Sequence, residues 1–352
     1  MPINYRKDLK KHFVREFGWL KAARRAAAQG SSESLKYLTF CAVDAVDIHM
    51  LEMNNLISRD RESGNFLDVY FCERDKDTFA DIQRLVRIQG FLGEFEEVVL
   101  FEDDDSTQAK GLLDPRAEHA LEVRERLRLK QSANELKEAF PFDILNLDFD
   151  GSLFPPEEPA DSRLLKAVWQ IIDWQANPPS GGSAPSEFTL FLTTRIERSA
   201  FSDDGLDILR TLLEDNLAGD ESFKSEFERQ HGKLSPTRLA KTDLKAFCST
   251  SLPKKLLEDA FDLGWKIQYH DVFVYRRPND KPRYDMLSIA CHFERITKAG
   301  FQAMREVIGE ATEIVRKGPR DVDAELKDKK TQAYVKAELA KVVTRLDETL
   351  AG

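Results

Sequence analysis

Two aspartates separated by a single residue mark the part of the sequence best suited to chemistry. Asp148 and Asp150 follow an apolar run that begins at Phe142, and Gly151 comes directly after them. A short apolar run bounded by turn residues is typical of a buried strand in a parallel sheet. Ligands of open α/β sheets bind at the carboxyl ends of such strands, and glycine lets the backbone approach a ligand. We therefore predict a site here; the alternative is a strand that ends in a solvated acidic turn.

Apolar runs alternate with helical patterns along most of the chain. The predicted strands cover residues 36–43, 67–73, 96–106, 142–150, 188–194, 265–277 and 283–295. Alternating strands and helices imply a parallel sheet with helices on both faces. The last two strands are joined only by PNDKP, which is too short for the crossover that a parallel pair needs. The predicted fold class is therefore α/β, a doubly wound, mostly parallel sheet with a C-terminal antiparallel hairpin, flanked by N- and C-terminal helices.

The same pattern predicts the organisation of the chain. We expect an N-terminal helical extension over 1–34 and a sheet domain over 35–297, with a helical insert at about 203–263. Charged helices follow over 298–352.

Composition limits the classes of partner. The formal net charge is -10, so the charge does not indicate a nucleic-acid-binding protein. Basic residues concentrate in the first 25 positions, where they could contact phosphate or form a solvated helix face. No apolar run approaches the roughly 20 residues that span a bilayer, and no apolar segment typical of a secretory signal follows the N-terminus, so we expect a cytoplasmic protein. The cysteines and histidines are scattered, which predicts neither a disulfide framework nor a thiolate zinc site.

The order of elements resembles that of the class I S-adenosylmethionine-dependent methyltransferases, whose sixth and seventh strands form such a hairpin. The resemblance covers about residues 35–295 and implies S-adenosylmethionine as cofactor, with an unknown substrate. In that family a glycine-rich loop follows the first strand and contacts the methionine part of the cofactor. The matching positions here run from Ala42 to Asp47, include Asp44 and contain no glycine.

The resemblance also implies roles for residues at the other strand ends. Glu73 matches the acid that accepts hydrogen bonds from the ribose hydroxyls, and Asp103 or Asp104 matches the acid near the adenine amine. Asp148 and Asp150 fall where the family carries catalytic groups. The residues that the resemblance assigns to the substrate side are Asn146, Gly151, Ser152, Thr194 and Arg195. For Arg195, an anion contact and a surface ion pair are both compatible with the sequence.

The segment DFDGSL supports a different enzyme class as well. It resembles the first motif of haloacid dehalogenase-type phosphotransferases, in which the first aspartate attacks phosphorus and the second is the general acid–base, both near magnesium. Asp148 and Asp150 would take those roles, and Thr193 or Thr194 could match that family's second motif. No GDxxxD or paired-aspartate signal for the metal follows Thr194 at a predicted strand end.

A third alternative is a methyltransferase-shaped partner subunit without catalysis, and the missing glycines motivate it. The terminal helices supply a candidate surface for a protein partner. Within 321–350 the apolar residues form a partial stripe, which consists of Val322, Leu326, Tyr334, Leu339, Val342, Val343 and Leu346. A helix with such a stripe gains little stability alone and must pack on its own domain or on another chain.

Overall fold

The computed structural model describes residues 8–29, 34–102, 117–157, 162–277, 284–297 and 301–351. Eight strands form one sheet with the order β3-β2-β1-β4-β5-β7-β6-β8. Its strands are β1 (Tyr37–Thr39), β2 (Val69–Glu73), β3 (Gln89–Leu92), β4 (Ile144–Asp148), β5 (Glu187–Arg195), β6 (Trp265–Arg276), β7 (Asp285–Arg295) and β8 (Arg320–Asp321). The predicted α/β class is confirmed.

The sheet is parallel from β3 to β5 and antiparallel through the hairpin. β7 lies between β5 and β6 and runs antiparallel to both, as the short connector predicted. The strand order reverses between β1 and β4, which makes this the crevice where open α/β sheets bind ligands. Thr39, the last residue of β1, pairs with Asn146, so Asp148 lies two residues beyond the end of β1 at the mouth of that crevice.

The third strand was predicted at the wrong place. Residues 96–106 were expected to form it, but β3 comes earlier and a helix covers Phe95–Val99. The preceding helix ends at Val86 because Arg87 adopts the left-handed conformation, with φ 63°, and frees the next residues to extend. Phe95, Val98 and Val99 are buried at helical spacing, a signal that the strand interpretation overlooked.

Helices cover both faces of the sheet. The helices that precede the predicted insert in the chain are α1 (Leu9–Val14), α2 (Leu20–Gln29), α3 (Val46–Met53), α4 (Lys76–Val86), α5 (Phe95–Val99), α6 (Ala117–Ala139) and α7 (Arg163–Ala176). The predicted insert contains α8 (Asp203–Gly219), α9 (Glu221–His231), α10 (Pro236–Thr242) and α11 (Leu244–Asp262). The C-terminal helices are α12 (Phe301–Lys317), α13 (Val322–Glu325) and α14 (Lys329–Ala351). Leu38 and Leu145 face one core, and Tyr37 and Ile144 face the other.

A π turn over Arg15–Trp19 joins α1 to α2 and anchors the N-terminal segment on the sheet. Trp19 stacks on Phe191 of β5, with ring centroids 5.4 Å apart and planes 8° from parallel. A Cβ added at Gly18 would lie 2.6 Å from Phe273, so this turn requires glycine for its close approach to β6. The first residues of the described chain are therefore part of the core.

The C-terminal stripe is largely buried within the chain itself. Leu339 and Val342 of α14 are buried in the core that also contains α1 and α3, and Leu346 is 1% exposed. Tyr334, by contrast, is 44% exposed. Whether a partner binds the remaining surface stays a prediction. Among the helices that the structure describes, none is long and apolar enough to cross a membrane.

Candidate ligand-binding cleft

Two adjoining cavities form a cleft at the carboxyl ends of β1, β2 and β4. Their volumes are about 180 and 590 Å³, which together lie within the range of about 300–1,000 Å³ typical of small-ligand sites. Both are lined by Phe40, Cys72, Glu73, Asp148 and Asp150. The structure therefore brings Glu73 and the two aspartates, which the sequence had singled out, into one cleft.

The loop after β1 closes the smaller cavity without a glycine. Ala42 and Asp44 line this cavity, as the resemblance implied for a cofactor contact. Ala45 takes the left-handed conformation, with φ 39°, and its N–H donates to the carbonyl of Ala42 over 2.8 Å. Alanine thus makes a tight turn that glycine would make with less strain.

Asp148 forms a partly buried ion pair with Lys11 of α1. The Lys11 side chain is 4% exposed and that of Asp148 19%. The ammonium also lies 3.5 Å from the hydroxyls of Thr193 and Tyr275. Burial lowers the pKa of Lys11 from its ordinary value, although the charge of Asp148 opposes that shift. Asp148 is therefore the main group that opposes the effect of burial on this lysine.

Arg15, the first residue of the π turn, lines the smaller cavity from the same side. Its side chain is 5% exposed, and its Nε and Nη1 atoms have no hydrogen-bond partner among the described residues. The guanidinium carbon lies 5.8 Å from the Trp19 ring centroid. A buried donor without a partner is unfavourable, so this group lacks an acceptor that a ligand can supply.

A buried polar network lies below the cleft and includes Asn146. Asp47, which lines the smaller cavity, accepts from the Tyr37 hydroxyl over 2.7 Å and from the Thr39 hydroxyl over 2.9 Å. The Asn146 amide donates to the Tyr37 oxygen over 2.7 Å. Asn146 is 1% exposed and supports the cleft from below, and its substrate contact stays a prediction.

Asp150 points toward the hairpin. It accepts from Arg277 over 2.7 Å, and Arg277 also donates to the hydroxyl of Tyr284. The Tyr284 ring lies 4.2 Å from the guanidinium carbon of Arg195, which itself pairs with Glu197. Arg195 thus forms an ion pair, and its anion contact stays a prediction.

The larger cavity combines carboxylates with aromatic rings. Glu73 is half-buried, and its Oε1 accepts from the N–H of Asp75 over 2.8 Å. Glu94, directly after β3, pairs with Arg74 over 3.2 Å. Three rings contact one another and line this cavity, with centroids 5.0 to 5.8 Å apart: Phe40, Phe95 and Phe149.

The loop after β4 is held by residues that were predicted to bind substrate. Thr194 donates to the carbonyl of Gly151 over 3.1 Å and accepts from the N–H of Leu153 over 3.2 Å. Ser152 is buried and accepts from the N–H of Phe154 over 3.1 Å. Gly151 and Ser152 line the larger cavity, whereas Thr194 shapes the loop from below.

The sequence interpretation missed Lys11, Arg15, Glu94 and Arg277. The two N-terminal cations were treated as part of a basic segment, although Lys11, Arg15 and Trp19 recur every four residues. Glu94 was hidden by the misplaced third strand. Asp103 and Asp104 lie outside the described residues.

Neither the metal nor the disulfide chemistry gains support from the geometry. In the described ranges, no group of three or more histidines, cysteines, aspartates or glutamates could hold a metal ion. All four cysteines are buried and free. The DFDGSL motif begins at the last residue of β4, the fourth strand of a continuous sheet, and Asp148 is paired with Lys11. The phosphotransferase alternative stays a prediction.

A family model matches residues 124–351, more than half of the chain, and is described as PP_RS20740-like. The chain belongs to the PP_RS20740-like family. The match includes Asp148, Asp150 and Arg277 and begins after Lys11, Arg15 and Glu73. No match was found among curated proteins or among solved structures.

Proposed function

We propose that the cleft binds S-adenosylmethionine and that the protein is a methyltransferase. The observation that carries the proposal is the continuous cleft at the strand-order reversal, where the carboxyl ends of β1, β2 and β4 meet. A strand order of 3-2-1-4-5 with the reversal beside the first strand is that of nucleotide-binding α/β sheets. The antiparallel hairpin after β5 agrees with the methyltransferase resemblance.

The residues of the larger cavity fit the nucleoside part of this cofactor. The Glu73 carboxylate can accept both ribose hydroxyl protons, since each carboxylate has several acceptor sites. The three phenylalanine rings offer apolar surface for a flat adenine ring. Glu94 takes the place at the end of the third strand that Asp103 or Asp104 was expected to take. When bound, the sulfonium of the cofactor supplies a methyl group for transfer.

Titration calorimetry with S-adenosylmethionine and its demethylated product, S-adenosylhomocysteine, tests the proposal. Replacing Glu73→Gln removes the charged acceptor, and hydrogen bonds to charged groups contribute about 1.5–3 kcal/mol, which corresponds to roughly 10- to 100-fold in affinity. Glu97→Gln, an exposed acid on α5, is the matched control and should leave affinity unchanged. If the wild-type protein gives neither heat nor a thermal shift at millimolar ligand, the proposal fails.

A second candidate is the same binding function without catalysis, in a partner subunit. It is favoured by the ion pairs at Asp148 and Asp150, because both carboxylates already carry a cation from this chain. Incubation with methyl-labelled cofactor and an extract of cells that lack the protein separates the two. Binding without transfer of label supports this candidate, and label in any extract component contradicts it.

A further inference from the structure

We propose that Arg15 binds the carboxylate of an α-amino-acid group, so that the smaller cavity selects ligands with a free amino-acid head. The inference rests on the proposed function and deepens it: the N-terminal helix would anchor the methionine end of the cofactor. Nothing in the family match covers this residue, since the match begins at residue 124.

The state of the Arg15 side chain points to a ligand. It is 95% buried, it faces the cavity, and two of its nitrogen atoms have no hydrogen-bond partner within the described chain. Arginine presents its donors in a rigid fork that matches a carboxylate with two parallel hydrogen bonds. Nε and Nη1 lie on different edges of the guanidinium, so a carboxylate bound at either edge would satisfy one of the two unpaired donors at a position where water is largely excluded.

The π turn brings Trp19 against this arginine. Residues four apart in an α-helix differ by about 40° in direction, so two such steps would turn Trp19 about 80° away from Lys11. The hydrogen bonds of a π turn span five residues, so the chain rotates less per residue. Trp19 consequently returns beneath both cations, with Lys11 Nζ 4.7 Å and Arg15 Cζ 5.8 Å from its ring centroid. Trp19, which stacks on Phe191, therefore packs against both Lys11 and Arg15.

The rest of the cavity defines the ligand as a zwitterion. Asp44, Asp47, Asp148 and Asp150 line it together with Arg15. The Asp44 carboxylate suits an ammonium group, whereas a phosphate would meet the repulsion of all four aspartates. An α-amino acid carries one charge of each sign and suits this arrangement. Nucleotides without such a head, including nucleoside phosphates, do not.

Arg15 also accounts for the missing glycines. A glycine-rich loop would present backbone groups to the ligand, but the loop here carries side chains at Ala42, Val43 and Asp44. A guanidinium that reaches into the cavity from the opposite side supplies donors that the loop does not present.

Calorimetry with two nucleosides and a thermal-shift assay with methionine test the inference on wild type and on Arg15→Met. S-adenosylhomocysteine carries the amino-acid head, and 5′-methylthioadenosine carries the same nucleoside without it. Wild-type protein should bind the first at least about tenfold more tightly than the second. Arg15→Met should remove that preference while leaving the affinity for 5′-methylthioadenosine within twofold. Free methionine, the third ligand, should protect wild type but not Arg15→Met in a thermal-shift assay.

The controls separate the two proposals. Arg24→Met, an exposed arginine on α2 that binds Asn54, should behave as wild type. Equal wild-type affinity for the two nucleosides overturns the inference without any variant, and so does unchanged S-adenosylhomocysteine affinity in Arg15→Met. Both results leave the proposed function standing, whereas no binding of either nucleoside by wild type overturns both. If Arg15→Met does not fold, Arg15→Lys, which keeps the charge without the fork, should lower the preference instead.

Discussion

Neutralising Asp148 should destabilise the protein through Lys11, a residue 137 positions earlier in the chain. In Asp148→Asn the ammonium would stay 4% exposed with two hydroxyl oxygens at 3.5 Å and the charge of Arg15 nearby. Removing one partner of a buried ion pair costs about 3–5 kcal/mol. Because the Asp148 side chain is 19% exposed, we expect the lower end, about 3 kcal/mol at pH 7.

The pH dependence of this loss identifies its cause. A lysine whose folded pKa lies below its unfolded value binds fewer protons when folded, so its burial weakens the fold below the folded pKa. That penalty disappears as pH rises toward the ordinary lysine pKa of 10.5. Asp148→Asn lowers the pKa of Lys11 further because it removes the opposing carboxylate charge. The difference in unfolding free energy between variant and wild type should therefore shrink between pH 7 and pH 10.

Urea unfolding followed by circular dichroism at both pH values measures this difference. With an unfolding entropy of about 2.1 cal/mol/K per residue, 3 kcal/mol corresponds to a fall of about 4 °C in Tm. Asp81→Asn is the matched control, because Asp81 and its partner Arg84 are 50% and 69% exposed and such pairs contribute about 0–1 kcal/mol. The double variant Lys11→Met/Asp148→Asn should recover most of the loss. Equal destabilisation by the two single variants, or a loss that stays constant up to pH 10, would refute this reasoning.

Two further predictions concern stability. Burial lowers the pKa of His12 from 6.5 to about 3, and the Arg15 charge adds to the shift. Below pH 6.5 the unfolded chain therefore binds a proton at His12 that the folded chain does not, so the fold loses stability as the pH falls. His12→Leu should reduce the loss between pH 6.5 and pH 4.5 by about 2 kcal/mol, measured by denaturant unfolding, and an unchanged acid profile would contradict this cause. Leu346→Ala, at a site 1% exposed, should cost about 2–5 kcal/mol, whereas Leu127→Ala, 56% exposed, should change unfolding free energy by less than about 0.5 kcal/mol. Similar Tm values for these two variants would show that α14 is not part of the core.

Several features of the fold were readable from the sequence because they depend on neighbours in the chain. The apolar run before Asp148 predicted β4, since a strand buried on both faces has few polar positions. The short connector between β6 and β7 predicted an antiparallel pair, because no crossover fits in it. Placing Asp148 and Glu73 at the same sheet edge followed from the alternation of strands and helices.

The sequence failed where two local interpretations competed. The apolar residues Phe95, Val98 and Val99 are compatible with either a strand or a helix. Their spacing identifies a helix only once it is known that the previous helix ends before Arg87. An arginine in the left-handed conformation has no sequence signal of the kind that glycine gives. The third strand was therefore placed too late, and Glu94 was missed.

The content of the cleft was decided by tertiary structure alone. Lys11 and Arg15 carry the same local pattern as any basic helix, and burial distinguishes them only when α1 packs against β6 and the π turn packs against β5. Lys11 meets Asp148 and Arg277 meets Asp150 across 137 and 127 residues of chain. Sequence periodicity reports which face of an element is apolar, but it carries no information on which distant element covers that face. The sequence thus determined the acidic edge of the cleft, and the packing of the N-terminal helix and the hairpin determined its cations.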